Sequence, residues 1–195
     1  GIVATQQVRK KDKNDVGGWQ SYTFGFAYHR LNNFNDNVTI QGSNSKNTFL
    51  DDLTTAAQGT NYQNLEPYFL SPAFQSGVLD TTSGSNSSGY FNIIDPYLNN
   101  GGGTILQTEN ISTTGSMGES DFSFGGNYNN KLFIGATIGI VDVNYNLNDQ
   151  YSETPRYADP TYGLTGYSLT QTLNTSGAGY NFKLGFIYRA MDWHR

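Results

Sequence analysis

Hydrophobic and polar residues alternate with a period of two along four segments of the chain, 19–31, 119–128, 131–140 and 178–190. Successive side chains of a β-strand point to opposite faces, so each segment is predicted to form a strand with one apolar face. The apolar positions are Tyr22, Phe24, Phe26 and Tyr28; Phe122, Phe124 and Tyr128; Leu132, Ile134, Ala136, Ile138 and Ile140; and Ala178, Tyr180, Phe182, Leu184, Phe186 and Tyr188. Most of the intervening positions are small or polar.

The connections between these strands are of two kinds. Asn129-Asn130 predicts a tight hairpin, and 11–18 predicts a short polar turn. Residues 32–117 and 148–176 are long, polar and rich in Gly, Ser and Asn, which predicts two long loops. Short and long connections therefore alternate along the chain, as they do when all turns lie at one end of a set of antiparallel strands and all loops at the other.

The composition narrows the class of protein. Of 195 residues only 14% are charged, whereas soluble domains usually carry about 25%. The length fits a single unit, 1–195. The formal net charge of -5 provides no basic surface for phosphates, which argues against a nucleic-acid partner. No run of about 18 apolar residues is present, so the sequence predicts no membrane-spanning helix.

These features predict an all-β fold, an antiparallel up-and-down transmembrane β-barrel with long extracellular loops and short periplasmic turns. Aromatic residues near the predicted strand ends fit the lipid headgroup boundary; they are Trp19, Tyr28, Tyr128, Tyr188 and Trp193. With about five strands the chain would be part of a larger barrel, because open sheet edges in lipid leave backbone groups unpaired. We therefore expect a fragment or partial chain in the bacterial outer membrane, with membrane lipid and the remainder of the barrel or other membrane subunits as partners.

Several runs of residues resemble Bacteroidetes members of the FadL/OmpP1/TodX outer-membrane transport family. They are Gly18-Trp19 through Tyr28-His29-Arg30-Leu31-Asn32-Asn33-Phe34-Asn35, Gly115-Ser116-Met117-Gly118-Glu119, Asn127 through Gly135, and Ser176 through Gly185 followed by Ile187-Tyr188-Arg189. The resemblance covers most strand segments and is looser across the first long loop. It implies a monomeric barrel with an amino-terminal plug that moves hydrophobic molecules inward, and no plug segment is recognisable in this chain.

Residues suited to catalysis are few. The chain has no Cys and two histidines, His29 and His194, which the topology places at opposite rims, so we predict neither an enzyme nor a metal site or cofactor. Glu119 and Asp121 share a predicted strand face that also receives Lys183 and Arg189. These four are candidate polar residues of the lumen. The carboxylates could contact a polar solute or cation there, or could simply pair with the two basic side chains.

The first long loop holds the candidate ligand path. Residues 48–58 predict a short helix that Gly59 ends. Apolar residues elsewhere in the loop could pack over a barrel mouth and guide a ligand: Phe69, Leu70, Phe91, Ile93 and Ile94. The predicted function is an outer-membrane channel for hydrophobic, fatty-acid-like small molecules that cross by passive diffusion. The alternative is a secreted or surface β-sandwich that acts as an adhesin or glycan-binding module, with its apolar strand face buried against another sheet.

Overall fold

Strands account for most of the described chain. The computed structural model describes residues 1–10, 17–82, 88–99, 102–157 and 165–190. The strands are β1 (Ile2–Gln7), β2 (Trp19–Asn33), β3 (Asp36–Asn44), β4 (Leu79–Thr81), β5 (Tyr90–Asn92), β6 (Ile105–Tyr128), β7 (Leu132–Pro155) and β8 (Tyr167–Tyr188). The helices are α1 (Phe49–Ala57), α2 (Leu70–Gln75) and α3 (Asp95–Asn99), with a 3-10 turn at Tyr62–Asn64. The all-β prediction is confirmed, while most of the predicted turn 11–18, Trp193 and His194 lie outside the described residues.

The main sheet has the strand order β1-β2-β6-β7-β8, and β3 pairs with β6 as well. β1 and β6 both run antiparallel to β2. In this register Phe24 lies opposite Phe124, and Phe26 lies opposite Phe122. β1 and β8 end the order, and no pairing between them occurs within the part of the chain that is described. A separate two-stranded sheet pairs β4 with β5.

The hairpin between β6 and β7 turns on two residues, as the sequence predicts. Asn129 and Asn130 have φ angles of 55° and 56°, and the Lys131 N–H donates to the Tyr128 carbonyl at 3.1 Å. This is a type I′ turn, whose twist matches that of paired strands. Asn tolerates positive φ better than other non-glycine residues, which explains the Asn-Asn pair at this point.

Three strands extend far into the predicted loops 32–117 and 148–176. β6 and β7 each have 24 residues and β8 has 22, so strand occupies 105–117, 148–155 and 167–176, and β3 lies in the first loop as well. The sequence prediction missed these parts because Asn, Thr, Gln and Ser occupy most positions and the apolar alternation that remains, as at Val38 and Ile40, is short. Hydrogen bonds between polar side chains link β3 to β6 instead. The Thr39 hydroxyl donates to Asn110 at 2.8 Å, and the Gln41 amide donates to Thr108 at 3.0 Å.

The chain divides into two compact units. The first unit comprises Gly1–Asp36, Thr113–Leu147 and Leu173–Arg195, and the second comprises Asn37–Ser112 and Asn148–Thr172. The second unit forms because the long connections contain enough apolar residues to build a core of their own. Within the described residues, no helix is long and apolar enough to cross a membrane.

Two clusters of buried side chains form the core of the second unit. The first cluster contains Ala57, Leu65, Leu70, Ala73, Leu79 and Tyr90. The second contains Leu50, Ile94, Tyr97, Leu98 and Ile105. Leu53 and Val78 pack against both clusters and so join them. The predicted helix is confirmed as α1, which starts with a capping box between Thr48 and Asp51.

Candidate functional site

One face of the first unit's sheet is apolar and exposed. Its aromatic residues pair across strands, with ring centroids 5.2 Å apart for Phe24 and Phe124 and 5.1 Å apart for Phe26 and Phe122. On β8, Leu184 is 75% exposed and Phe186 is 78% exposed. A water-soluble sheet buries such a face against another layer, since large contiguous apolar patches on soluble monomers mark interaction sites. This face is therefore a candidate surface for contact with lipid or with another apolar layer.

The opposite face of the same sheet carries an ionic network. The Lys183 ammonium lies 2.9 Å from Glu119 Oε1 and 3.3 Å from Asp121 Oδ1. His29 Nε2 lies 3.2 Å from Asp121 Oδ2, and the Asn181 amide donates to Glu119 at 2.6 Å. Both carboxylates are almost fully buried. Glu119 and Asp121 therefore both lie within ion-pair distance of Lys183, which is the arrangement that the pairing interpretation describes.

The fourth predicted lumen residue, Arg189, lies apart from this network. It is exposed, and its backbone N–H donates to the Lys131 carbonyl at 2.8 Å. Among the described residues, no group of three or more His, Cys, Asp or Glu side chains is arranged to hold a metal ion. Of the four candidate lumen residues, Glu119, Asp121 and Lys183 thus form one cluster of ion pairs, and Arg189 lies outside it.

Gly139 allows the ionic network to cross a strand. β7 lies between β6 and β8 in the sheet, so Glu119 and Asn181 must meet over the backbone of β7. A Cβ atom on Gly139 would collide with Glu119 Oε1 and would lie 2.6 Å from Asn181 Oδ1. The missing side chain therefore provides the space for the contact. The sequence pattern placed Gly139 on the polar face but gave no sign of this role.

Hydroxyl pairs continue the polar face beyond the ionic network. Thr5 and Thr23 are 3.0 Å apart, and Ser123 and Thr137 are 2.9 Å apart. Cross-strand hydroxyl contacts of this kind stabilise neighbouring strands without apolar burial. The two faces of the sheet consequently differ in chemistry along β1, β2, β6, β7 and β8.

The second unit contains a cavity of about 380 Å³ with mostly apolar walls. Helices α1 and α2, Val78 and the first residues of β8 enclose it. The walls include Phe49, Leu50, Leu53, Phe69, Val78 and Leu169, with Ser76, Tyr167 and Ser168 among the polar contributors. A cavity of this size with few polar groups is suited to a small apolar ligand.

The residues predicted for a ligand path are not all accessible. Phe69 lines the cavity and is 38% exposed. Phe91 is 40% exposed, whereas Leu70 belongs to the first core cluster and Ile94 is completely buried in the second. Ile93 packs against that second cluster. The sequence alone could not show which of these apolar residues would be buried in the core of the second unit.

Glu153 of β7 is a functional candidate that the sequence analysis missed. It is completely buried and accepts hydrogen bonds from the Thr48 hydroxyl, the Phe49 N–H at 3.0 Å, the Gln107 amide at 2.7 Å and the Tyr151 hydroxyl at 2.6 Å. Every partner is a donor, as an ionised carboxylate requires. Residues 48 and 153 are far apart in sequence, so no local motif indicates the contact.

Two tyrosines next to Glu153 have perturbed acidity. Burial, followed by a hydrogen bond to Glu153, raises the pKa of Tyr151 above its usual range. Burial, followed by the charge of Glu153, raises the pKa of Tyr167 as well. Both hydroxyls therefore stay protonated at physiological pH. The Tyr167 hydroxyl is buried without a hydrogen-bond partner.

No protein-family model, curated protein or solved structure matches this chain.

Proposed function

We propose that this protein is an outer-membrane channel or transporter for hydrophobic small molecules of the fatty-acid-like class. The observation that carries the proposal is the chemical difference between the two faces of the first unit's sheet. Large apolar side chains are exposed on one face, and ion pairs and hydroxyl pairs lie on the other. Strands of a membrane barrel alternate in this way because one face meets lipid and the other meets the lumen.

In this proposal the first unit forms part of an up-and-down transmembrane barrel in the bacterial outer membrane. Trp19 and Tyr128, whose ring centroids are 5.4 Å apart, lie beside the short hairpin, where aromatic girdles occur in barrels. The outer edges of β1 and β8 need partners, since unpaired backbone groups in lipid cost several kcal/mol each, on the order of a lost hydrogen bond in an apolar solvent. The remainder of the barrel or other membrane subunits would supply those partners.

The second unit would receive the ligand before it crosses. Its cavity offers apolar walls with Phe69 among them, and the weak contacts of such walls allow a ligand to enter and leave. Movement would be passive diffusion, in which no bond is broken and no cofactor takes part. The ionic network of Glu119, Asp121 and Lys183 would stabilise the lumen side of the barrel wall, and Arg189 would add a separate positive charge.

The test is whether the full-length protein behaves as a membrane barrel. The protein would be expressed with an export signal, and outer membranes would be extracted with detergent. We expect it in the detergent extract and expect unheated and heated samples to migrate differently on a denaturing gel, because closed barrels resist unfolding by detergent. A stable monomer in detergent-free buffer would contradict the proposal and would favour the surface β-sandwich, an adhesin or glycan-binding module.

A further inference from the structure

We infer that the cavity of the second unit selects uncharged apolar molecules and disfavours carboxylates of the same chain length. The inference rests on the proposed function and narrows its ligand class to the uncharged members, such as long-chain alcohols, esters and hydrocarbons. Three features of the second unit support it: the charge of the cavity walls, the position of Glu153 and the size of the cavity.

The described residues of the cavity walls offer no counter-ion to an anionic ligand. None of the described residues that line the cavity is Lys, Arg or His, and the polar contributors are Ser76, Tyr167 and Ser168. Transfer of a carboxylate from water into such a site is strongly unfavourable unless a positive charge or several donors compensate. An uncharged head group avoids most of this penalty, because a single hydroxyl loses far less hydration energy than a carboxylate.

Among the described residues of the second unit, the buried charged side chain is the acidic Glu153. Glu153 accepts a hydrogen bond from the backbone N–H of Phe49, a cavity wall residue, at 3.0 Å. All of its partners among the described residues are donors, the set of contacts that a carboxylate anion accepts. Two like charges on the order of 10 Å apart in a protein repel enough to reduce binding by about tenfold. Glu153 therefore acts as a specificity-determining residue for the cavity through its charge, without contacting the ligand.

The size of the cavity fits one small molecule. Its volume of about 380 Å³ lies near the lower end of ligand sites, which run from about 300 to 1,000 Å³. Leu53 and Val78 pack against both core clusters of the unit, so these walls are held by the core. A rigid site of this kind can distinguish head groups, because the ligand cannot move far from Glu153.

Photoaffinity labelling with a matched pair of probes tests the inference. Decanol and decanoate carrying the same mid-chain diazirine would be added to membranes that contain the full-length protein. Mass spectrometry would then quantify the label on peptides from the cavity walls. Label on the exposed face of β8 serves as the internal standard for how much of each probe enters the membrane.

Two lysine variants provide the charge test. Ser76 lines the cavity near the end of α2, and the neighbouring Gln75 is exposed and does not line it. Ser76→Lys adds a counter-ion to the wall, and we expect it to raise decanoate labelling of the cavity about tenfold, as opposite charges at such a distance attract. Gln75→Lys adds the same charge outside the cavity and should change the labelling less than about twofold.

Each outcome has a distinct meaning. Stronger cavity labelling by decanol than by decanoate, with a gain for decanoate in the Ser76→Lys protein alone, supports the inference. Equal or stronger labelling by decanoate in the unmodified protein overturns the inference and leaves the proposed function standing. If both probes label β8 and neither labels the cavity, the ligand-receiving step of the proposed function is wrong as well.

Discussion

Replacement of Leu184 by Arg gives a quantitative test of the proposal that one face of the sheet contacts lipid. Leu184 is 75% exposed and borders a groove whose other side chains are Phe124, Ile134, Ala136 and Phe186. None of the described residues that line this groove is acidic, so none could pair with a guanidinium. An Arg on the lipid face of a barrel near the bilayer midplane reduces the free energy of unfolding by about 2–4 kcal/mol. The ratio of folded to unfolded protein should thus fall by about 30- to 1,000-fold.

The neighbouring residue supplies the control. Gly185 lies on the opposite face, and a Cβ atom built on it meets no atom within 4 Å. Gly185→Arg therefore adds the same charge one residue away, toward the lumen in our account, and should change stability by less than about 1 kcal/mol. Both proteins would be unfolded with denaturant from lipid vesicles. Equal losses for Leu184→Arg and Gly185→Arg would refute the assignment of the two faces, as would a Leu184→Arg loss below about 0.5 kcal/mol.

Two further predictions concern the ionic network and the second unit. Gly139→Ala should destabilise the protein by about 1–3 kcal/mol in denaturant unfolding because its methyl group collides with Glu119, whereas Gly135→Ala, whose Cβ meets ordinary contacts, should have a smaller effect. Burial, followed by hydrogen bonding and like charge from Asp51, raises the pKa of Asp95 to about 6. The protonated Asp95 carboxyl group therefore contributes to the stability of the folded state below about pH 4, and this contribution is lost as pH rises through about 6. Amide protection of the second unit, measured relative to the intrinsic exchange rate at each pH, should therefore fall across that range, and Asp95→Asn should remove this fall. An unchanged protection profile would contradict the prediction.

The sequence predicted the parts of the fold in which side-chain chemistry and backbone geometry agree. Alternation in 178–190 gave the strand β8 and its apolar face, and Asn129-Asn130 gave the type I′ turn. The extension of β6 through 105–117 was not predictable from alternation, because most positions there are polar and the few apolar residues do not alternate. This part of β6 pairs with β3, and the local sequence pattern does not reveal such a contact between distant segments.

The candidate site was only partly predictable for a related reason. Glu119, Asp121 and Lys183 were expected on one face because strand periodicity places alternate residues of each strand on the same face of the sheet. Glu153 meets Thr48 through a contact between residues 105 positions apart, which no local pattern records. Ile94 was expected on a ligand path, but an apolar residue in a loop can equally form the loop's own core, and only tertiary packing distinguishes these roles.

A spin-label accessibility scan along β8 tests the central claim most directly. Single labels from 179 to 188 would be examined in lipid vesicles with oxygen, which concentrates in the bilayer, and with a water-soluble nickel complex. Our account predicts high oxygen accessibility at Tyr180, Phe182, Leu184, Phe186 and Tyr188, and higher nickel accessibility at the positions between them. Shielding of those five positions from both reagents would show a face packed against protein, and equal nickel accessibility on both faces would show a sheet in water; either result would contradict the membrane assignment.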